Sequence, residues 1–258
     1  MDDVMDKTAL WAKLPDNISA RAFEGGSRDL RISWPMLRRA ETSAVASNQA
    51  VVGPLAQGAV DMLRTKVAAT MQENKWTTLA VTAPTARCGT TTLAVGLATS
   101  LARQRETRVL LFDFNLRKPG IARQLGLKGQ FNIGDLLDGS ADTRDCLVRR
   151  SDNFAIAPNS NAIANPAETL YSTAAAAAVQ RVQAQLAPNF VIFDFPPMLE
   201  HDDLLGFLPF VDQVLLVLGA ERTSFGQADV CERDLSGRGK LLGVVLNQCQ
   251  LGLGAYDV

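Results

Sequence analysis

The sequence is poor in the residues that build metal and redox sites, and it lacks long apolar runs. It contains one histidine, His201, and four cysteines that no C-x-x-C spacing connects, which disfavours both a Cys/His metal site and a disulfide framework. No stretch approaches the roughly 18 consecutive apolar residues of a membrane-spanning helix. The acidic start MDDVMDK is also unlike a signal peptide. These absences predict a cytoplasmic protein with reduced thiols.

The chain also lacks a charge imbalance. Its 26 basic and 27 acidic residues leave a net charge of −1, so neither a nucleic acid nor an acidic membrane surface is an expected partner. With 258 residues, of which 47% are apolar and 21% charged, the chain is long enough for one domain with a full core.

Three regions differ in character. Residues 1–52 place Trp11 and Trp34 among glycine, serine and basic residues. Two interpretations of this N-terminal arm stay open: it is flexible, or its tryptophan and leucine side chains dock on a partner. Residues 53–250 have the regular hydrophobic periodicity of a folded domain, and 251–258 form a short C-terminal tail.

Residues 53–250 alternate between short apolar runs and helical patterns. One helical pattern covers Pro54 to Met71, and another, predicted as the longest helix, covers Asn165 to Leu186. The apolar runs predict strands at Leu79–Ala83, Val109–Phe114, Phe154–Ala157, Phe190–Phe193, Gln213–Leu218 and Leu241–Leu246. This alternation predicts a three-layer α/β domain, with helices on both faces of a mostly parallel sheet.

One strand–turn–helix unit, Thr77 to Ala102, has the form of a phosphate-binding loop. Its loop ends in Gly89, and the helix that begins at Thr90 directs backbone N–H groups and its dipole toward one point. The pattern G-x-x-x-x-G-K-[ST] is met only at Gly89 and Thr91, because Pro84 replaces the first glycine and Thr90 the lysine. An ordinary strand–turn–helix unit therefore stays the alternative.

Two aspartates each follow a buried apolar run. Asp113 closes VLLFD and Asp194 closes FVIFD, so both are expected at the carboxyl ends of parallel strands, where such folds bind ligands. Carboxylates beside a phosphate loop can hold Mg²⁺ or its water shell. Capping a helix or forming a turn is the alternative role of either aspartate alone.

Five stretches of the chain resemble a known family. VLLFDFNLRKPG, NPAETL, FVIFDFPPMLEHDD, DQVLLVLGAERTS and LLGVVLN occur in that order between about residues 55 and 250. They resemble the bacterial tyrosine kinases of capsule and exopolysaccharide synthesis, which belong to the partition- and septum-positioning P-loop ATPases. Asp113-x-x-x-Arg117-x-Pro119 and Asp194-x-Pro196-Pro197 are the most specific stretches. The resemblance implies a P-loop NTPase-like fold.

The resemblance also implies a site for ATP or ADP with Mg²⁺. Thr91 and Asp113 would hold the metal, and Asp194 a water of the metal, so Asp113 and Asp194 are the expected catalytic residues. The resemblance implies cofactor-binding positions at Arg117 and Asn247, the latter on the adenine side. The phosphates would lie against the backbone of four successive residues, Gly89, Thr90, Thr91 and Thr92.

Two neighbours in the loop allow opposite interpretations. Arg87 would either place its guanidinium near the phosphates or remain solvated on the loop. Cys88 would be either a redox-sensitive thiol, if the helix N-terminus lowers its pKa, or an inert one.

Several positions depart from the family pattern, and they predict weak or absent catalysis. Thr90 replaces the loop lysine, and Asn115 replaces the second carboxylate of the family's Asp-x-Asp. Losing one preorganised charge of this kind typically costs about 10²–10³ in rate. The tail has one tyrosine, Tyr256, as a phosphoacceptor, where the family has several. Of the family's oligomerisation motif only Arg64 matches, so a homo-oligomer stays open.

Three functions are consistent with these residues. The first is a kinase-like nucleotide-binding protein of exopolysaccharide synthesis, recruited to the inner membrane by a membrane-anchored co-polymerase. The second is a scaffold of the same pathway that has lost nucleotide binding. The third is a partition-type ATPase that dimerises across nucleotide.

Overall fold

The structure, a computed structural model, describes residues 32–42 and 54–249. The predictions that concern Trp11, Tyr256 and the tail at 251–258 lie outside these residues. The described strands are β1 (Arg38–Arg39), β2 (Thr78–Thr82), β3 (Val109–Asp113), β4 (Val148–Ser151), β5 (Phe154–Ala157), β6 (Phe190–Asp194), β7 (Gln213–Gly219) and β8 (Leu241–Asn247).

The helices between the strands vary from one turn to more than five. They are α1 (Pro54–Glu73), α2 (Thr90–Leu101), α3 (Ile121–Gln124), α4 (Ile133–Leu137), α5 (Thr143–Cys146), α6 (Pro166–Tyr171), α7 (Thr173–Leu186), α8 (Asp203–Phe207) and α9 (Phe225–Gly237). Two short 3₁₀ turns cover Trp34–Met36 and Leu208–Phe210. Within the described ranges, no helix combines the length and the apolar character that crossing a membrane requires.

The described strands form one sheet in the order β1-β4-β5-β3-β6-β2-β7-β8. Neighbouring strands are parallel except β4 and β5, which are antiparallel. Because β2, β3 and β6 are adjacent and parallel, their carboxyl ends lie at the same edge of the sheet. The topology therefore brings together the three segments that the sequence analysis selected for chemistry.

Apolar side chains form one core layer on each face of the sheet. α1 and α2 contribute to one layer, and α7, α8 and α9 contribute to the other. The predicted α/β fold, a mostly parallel sheet with helices on both faces, is confirmed.

The six predicted strands are all present, with ends that differ by no more than one residue. The two strands that the sequence analysis missed, β1 and β4, are short and carry arginines in place of an apolar run. Hydrophobic periodicity cannot detect strands of this composition.

The prediction of one long helix over Asn165 to Leu186 is wrong. Ser172 has extended backbone angles (φ −69°, ψ 145°) and separates α6 from α7, which it caps by accepting a hydrogen bond from Ala175 N–H. Serine favours such a cap because its hydroxyl replaces a missing backbone partner. The longest helix in the described part of the chain is α1, with 20 residues.

Part of the expected N-terminal arm packs on the domain. The Trp34 side chain is 3% exposed, and its indole Nε1 donates to the carbonyl of Leu186 at 2.8 Å. Ile32 and Leu37 are also buried, and β1 pairs with β4. Residues 32–42 therefore belong to the folded domain, because an indole buried in this way is anchored by both its apolar area and its polar N–H.

We predict that Trp34→Ala destabilises the protein by about 3–5 kcal/mol, the usual cost of deleting a buried aromatic side chain. In a domain of this size this lowers the midpoint of thermal unfolding by about 6–20 °C. Trp34→Phe keeps one ring but loses the hydrogen bond to Leu186 and part of the buried aromatic area, so it should cost less than Trp34→Ala, about 1–3 kcal/mol. Wild-type unfolding temperature in Trp34→Ala would mean that the segment contributes nothing to the fold.

Candidate functional site

The loop between β2 and α2 has the shape of an anion-binding turn. Gly89 precedes α2 with a left-handed backbone (φ +84°), a conformation that favours glycine. A Cβ atom at Gly89 would lie 2.3 Å from Nδ2 of Asn247, so a side chain would clash there. The first turn of α2 begins at Thr90 and includes Thr91 and Thr92. The free N–H groups of this turn and the helix dipole favour a negative group in front of it.

Side chains from two other segments hold the loop. On one flank, the Asn247 amide donates to the carbonyl of Cys88 at 2.8 Å, and the Gln248 amide donates to the carbonyl of Arg87 at 3.1 Å. On the other flank, Oε1 of Glu200 accepts from the N–H of Ala86 at 2.7 Å. The loop is therefore fixed by hydrogen bonds from both sides.

The structure gives the two doubtful loop residues different surroundings. Arg87 is exposed and has a left-handed backbone (φ +67°), which is costly for a residue with a Cβ. The Cys88 side chain is buried, and its Sγ donates to the carbonyl of Thr85 at 3.2 Å. Burial of a thiol in this way is typical of an inert cysteine.

Asp113 and Asp194 lie side by side at the carboxyl ends of β3 and β6, where they are partners in the sheet register. Oδ2 of Asp113 accepts from the N–H groups of Gly120 and Ile121, both at 3.0 Å. Oδ2 of Asp194 accepts from the hydroxyl of Thr91 at 2.6 Å. The structure thus brings together three of the residues that the sequence analysis predicted for a metal site.

Both carboxylates are buried, and each has one oxygen without a protein partner. Among the described side chains, Oδ1 of Asp113 and Oδ1 of Asp194 are unpaired and out of contact with solvent. Burial raises the pKa of Asp113 to about 7. Burial, followed by the charge of Asp113, raises the pKa of Asp194 well above its ordinary value. A divalent cation would relieve both effects, since it pairs with the free oxygens and favours the charged forms.

The donor set fits Mg²⁺. This ion binds one or two carboxylates, keeps several waters and completes its shell with substrate phosphates. Two carboxylates and the hydroxyl of Thr91 next to an anion-binding turn provide such a set. The described part of the chain has no cluster of three or more His, Cys, Asp and Glu side chains that could hold a metal by itself.

Phenylalanines next to each aspartate support the pair from the opposite face of the sheet. Phe112, Phe193 and Phe207 are fully buried in the layer that α8 covers. Phe112 and Phe193 stack with ring centroids 5.2 Å apart. These rings exclude water behind the carboxylates, which explains why burial has the largest effect on their pKa values.

The other predicted residues have partners of their own. Nε of Arg117 donates to Oδ2 of the buried Asp203 at 2.9 Å. Asn115 accepts the N–H of Lys118 on its side-chain oxygen at 3.1 Å, which closes a turn after β3. Asn247, expected on the adenine side, uses its amide on the phosphate loop.

Sequence reasoning missed Glu200, Gln248 and Asp203. Each of them contacts a residue 86 to 161 positions away in the chain. No local spacing marks such contacts. The one available signal was general: loops at the carboxyl ends of parallel strands are expected to contact one another.

Comparisons with known proteins agree on one family. Tyrosine-protein kinase ptk of Acinetobacter johnsonii is 23% identical over 199 residues, which cover 75% of this chain and 26% of that protein. Tyrosine-protein kinase YwqD of Bacillus subtilis strain 168 is 29% identical over 161 residues, 62% of this chain and 67% of that protein. The chain thus spans about a quarter of the Acinetobacter kinase. No family model matches the chain.

Solved structures show the same relationship. The kinase domain of VpsO is 26% identical, with a TM-score of 0.67 over 76% of this chain and 97% of that one. The septum site-determining protein MinD of Pyrococcus horikoshii OT3, solved with Mg-ADP, is 18% identical, with a TM-score of 0.53 over 65% of this chain and 68% of that one. At this identity the similarity shows a shared fold alone. The chain is therefore similar in sequence and in fold to the kinase domains of bacterial tyrosine kinases.

Proposed function

We propose that the protein is a kinase-like nucleotide-binding protein that binds ADP or ATP with Mg²⁺ and has slow or no turnover. One observation supports this most strongly: Asp113 and Asp194 are buried next to the loop, and each has an unpaired oxygen. A pair of this kind is costly in a protein that binds no cation, because each carboxyl buries a polar oxygen without a partner. A chain that had become a scaffold would be expected to lose it.

In the proposed complex, the N–H groups of Gly89 to Thr92 hold the phosphates. Thr91 and Asp113 hold the metal, and Asp194 orients one of its waters. The bound Mg²⁺ would neutralise phosphate charge. Arg117 and Asn247 act at the rim of the site. Asp203 orients Arg117, and Asn247 holds the loop.

Weak catalysis follows from two substitutions. Thr90 lies where a lysine would neutralise charge on the transferred phosphoryl group, and its hydroxyl brings no charge. Asn115 is neutral where the family has a carboxylate, and its side-chain oxygen is engaged in a turn with Lys118. The protein would therefore act as a nucleotide sensor more readily than as a phosphotransferase.

The pathway and the partners are part of the proposal. The family resemblance supports a role in exopolysaccharide or capsule synthesis beside a membrane-anchored co-polymerase. A homo-oligomer is the least supported element, because Asp61, in the motif helix α1, pairs within the same chain with Ser100 of α2 and with Arg103, which follows α2.

A scaffold without nucleotide is the second candidate. It is favoured by the loop hydrogen bonds of Glu200 and Gln248, which hold the turn in place through the chain's own side chains. Such a protein would act only through contacts with other proteins.

Nucleotide titration separates the two candidates. We expect wild-type protein to bind ADP at micromolar concentration in the presence of Mg²⁺, measured by calorimetry. Thr90→Lys should raise ATP hydrolysis by about 10²–10³ over the wild-type rate, because it restores the missing charge. Adding Asp194→Asn to Thr90→Lys should abolish this gain. If neither wild type nor Thr90→Lys binds nucleotide, the scaffold is the correct account.

The carboxylate pair also predicts an unusual pH dependence of stability. Because the pKa of Asp113 is raised from 3.8 to about 7, the folded protein binds more protons than the unfolded chain between these values. Protonated Asp113 therefore contributes to the free energy of unfolding at low pH, and this contribution is lost as the pH rises through about 7. Without Mg²⁺, the free energy of unfolding should fall between pH 5 and pH 8, measured by urea denaturation.

Two controls assign this effect to the pair. Asp113→Asn removes the titrating group, so its stability should vary less between pH 5 and pH 8 than that of the wild type. Millimolar Mg²⁺ should stabilise wild type more at pH 8 than at pH 5, since the ion binds the charged carboxylates. Equal effects of Mg²⁺ at both pH values would contradict the metal site.

A further inference from the structure

Glu200 contacts the phosphate loop through a connection that is itself fixed to that loop. In the segment between β6 and α8, the N–H of Met198 donates to the carbonyl of Ala83 at 2.9 Å, and the N–H of Leu199 donates to the carbonyl of Pro84 at 3.2 Å. The carboxylate of Glu200 then accepts from the N–H of Ala86 at 2.7 Å. Three successive residues therefore make hydrogen bonds to the loop, and the backbone contacts of the first two place the Glu200 carboxylate next to Ala86.

This contact lies on the metal flank of the loop. Glu200 lies on the connection that leaves β6 directly after Asp194, and Asp194 accepts a hydrogen bond from the hydroxyl of Thr91. Asn247 and Gln248 come from the end of β8 and hold the loop carbonyls on the other flank. Asp113 and Asp194 would hold the ion that neutralises terminal phosphate charge, so the additional charge of a triphosphate would lie toward these carboxylates, on the flank from which the segment of Glu200 approaches the loop.

The charges on this flank disfavour a third phosphate. Glu200 accepts from a loop N–H that would otherwise be free to bind a phosphate oxygen, and its carboxylate adds a negative charge beside that N–H. Thr90 provides no compensating cation, and the guanidinium of Arg117 pairs with Asp203. The exposed Arg87 is held through its carbonyl from the other flank of the loop. Like charges at short range repel, and the repulsion grows with each charge on the ligand.

We propose that Glu200 makes the site selective for a nucleoside diphosphate over the corresponding triphosphate. This inference rests on the proposed nucleotide function and defines its ligand. A diphosphate fills the turn in front of α2 and leaves the contact between Glu200 and Ala86 intact. A triphosphate must displace the carboxylate and remain close to it.

The test is the ratio of the dissociation constants of ATP and ADP, both measured by calorimetry with Mg²⁺ on the full chain. Wild type should bind ADP about tenfold more tightly than ATP, the effect expected of one additional like charge at a partly solvated site. Glu200→Gln should bring the ratio close to one, mainly by improving ATP binding. Glu200→Lys should favour ATP.

Glu221→Gln is the matched control. Glu221 lines a surface cavity with Arg222 and Gln248 on the other flank of the loop, so its substitution removes the same charge nearby and should leave the ratio unchanged. Thermal unfolding should show that all variants are folded, since Glu200 and Glu221 are both exposed.

Each outcome decides between the proposals. If Glu200→Gln leaves the ratio of the ATP and ADP dissociation constants unchanged, the role of Glu200 is wrong and the nucleotide function stands. The same holds if Glu221→Gln changes this ratio as much as Glu200→Gln does. Absence of binding of either nucleotide to wild type and to every variant overturns both.

Discussion

Two buried carboxylates held side by side at the edge of a parallel sheet are the constraint on which the rest of this structure depends. Asp113 and Asp194 are register partners on β3 and β6, so the sheet itself fixes their proximity. Burial raises the pKa of both carboxyls, and the charge of Asp113 raises that of Asp194 further. Buried carboxylates whose pKa values are raised in this way are typical of functional sites.

The surrounding elements each limit what this pair can do. The phenylalanines behind it exclude water, and the N–H groups of Gly120 and Ile121 fix one oxygen of Asp113. Thr91 links Asp194 to the phosphate loop. Thr90 brings no positive charge to the first turn of α2, and Glu200, on the connection after β6, adds a negative charge beside the loop. In the proposed function, the site would therefore keep the parts that hold a metal and a phosphate and would lack those that neutralise a transferring phosphoryl group.

The sequence predicted the parts of this account that depend on local pattern. Apolar runs that end in Asp113 and Asp194 predicted two strand ends, and Gly89 with Thr91 predicted a turn before a helix. The sequence could not predict that Trp34 docks on the carbonyl of Leu186 or that Glu200 binds Ala86 N–H, because these contacts join positions 152 and 114 residues apart. The break at Ser172 was missed for a different reason: the alanine-rich helical pattern outweighed a capping signal that was present in the sequence.

The most direct test of the metal site is electron paramagnetic resonance of Mn²⁺, a paramagnetic substitute for Mg²⁺, added with ADP to the full chain. The account predicts that stoichiometric Mn²⁺ becomes bound in the presence of ADP. Binding should be lost in Asp194→Asn and retained when an exposed carboxylate far from the loop is changed, as in Asp138→Asn. Free Mn²⁺ in the wild-type sample, or equal binding in Asp194→Asn, would contradict the claim that these buried carboxylates form a metal–nucleotide site.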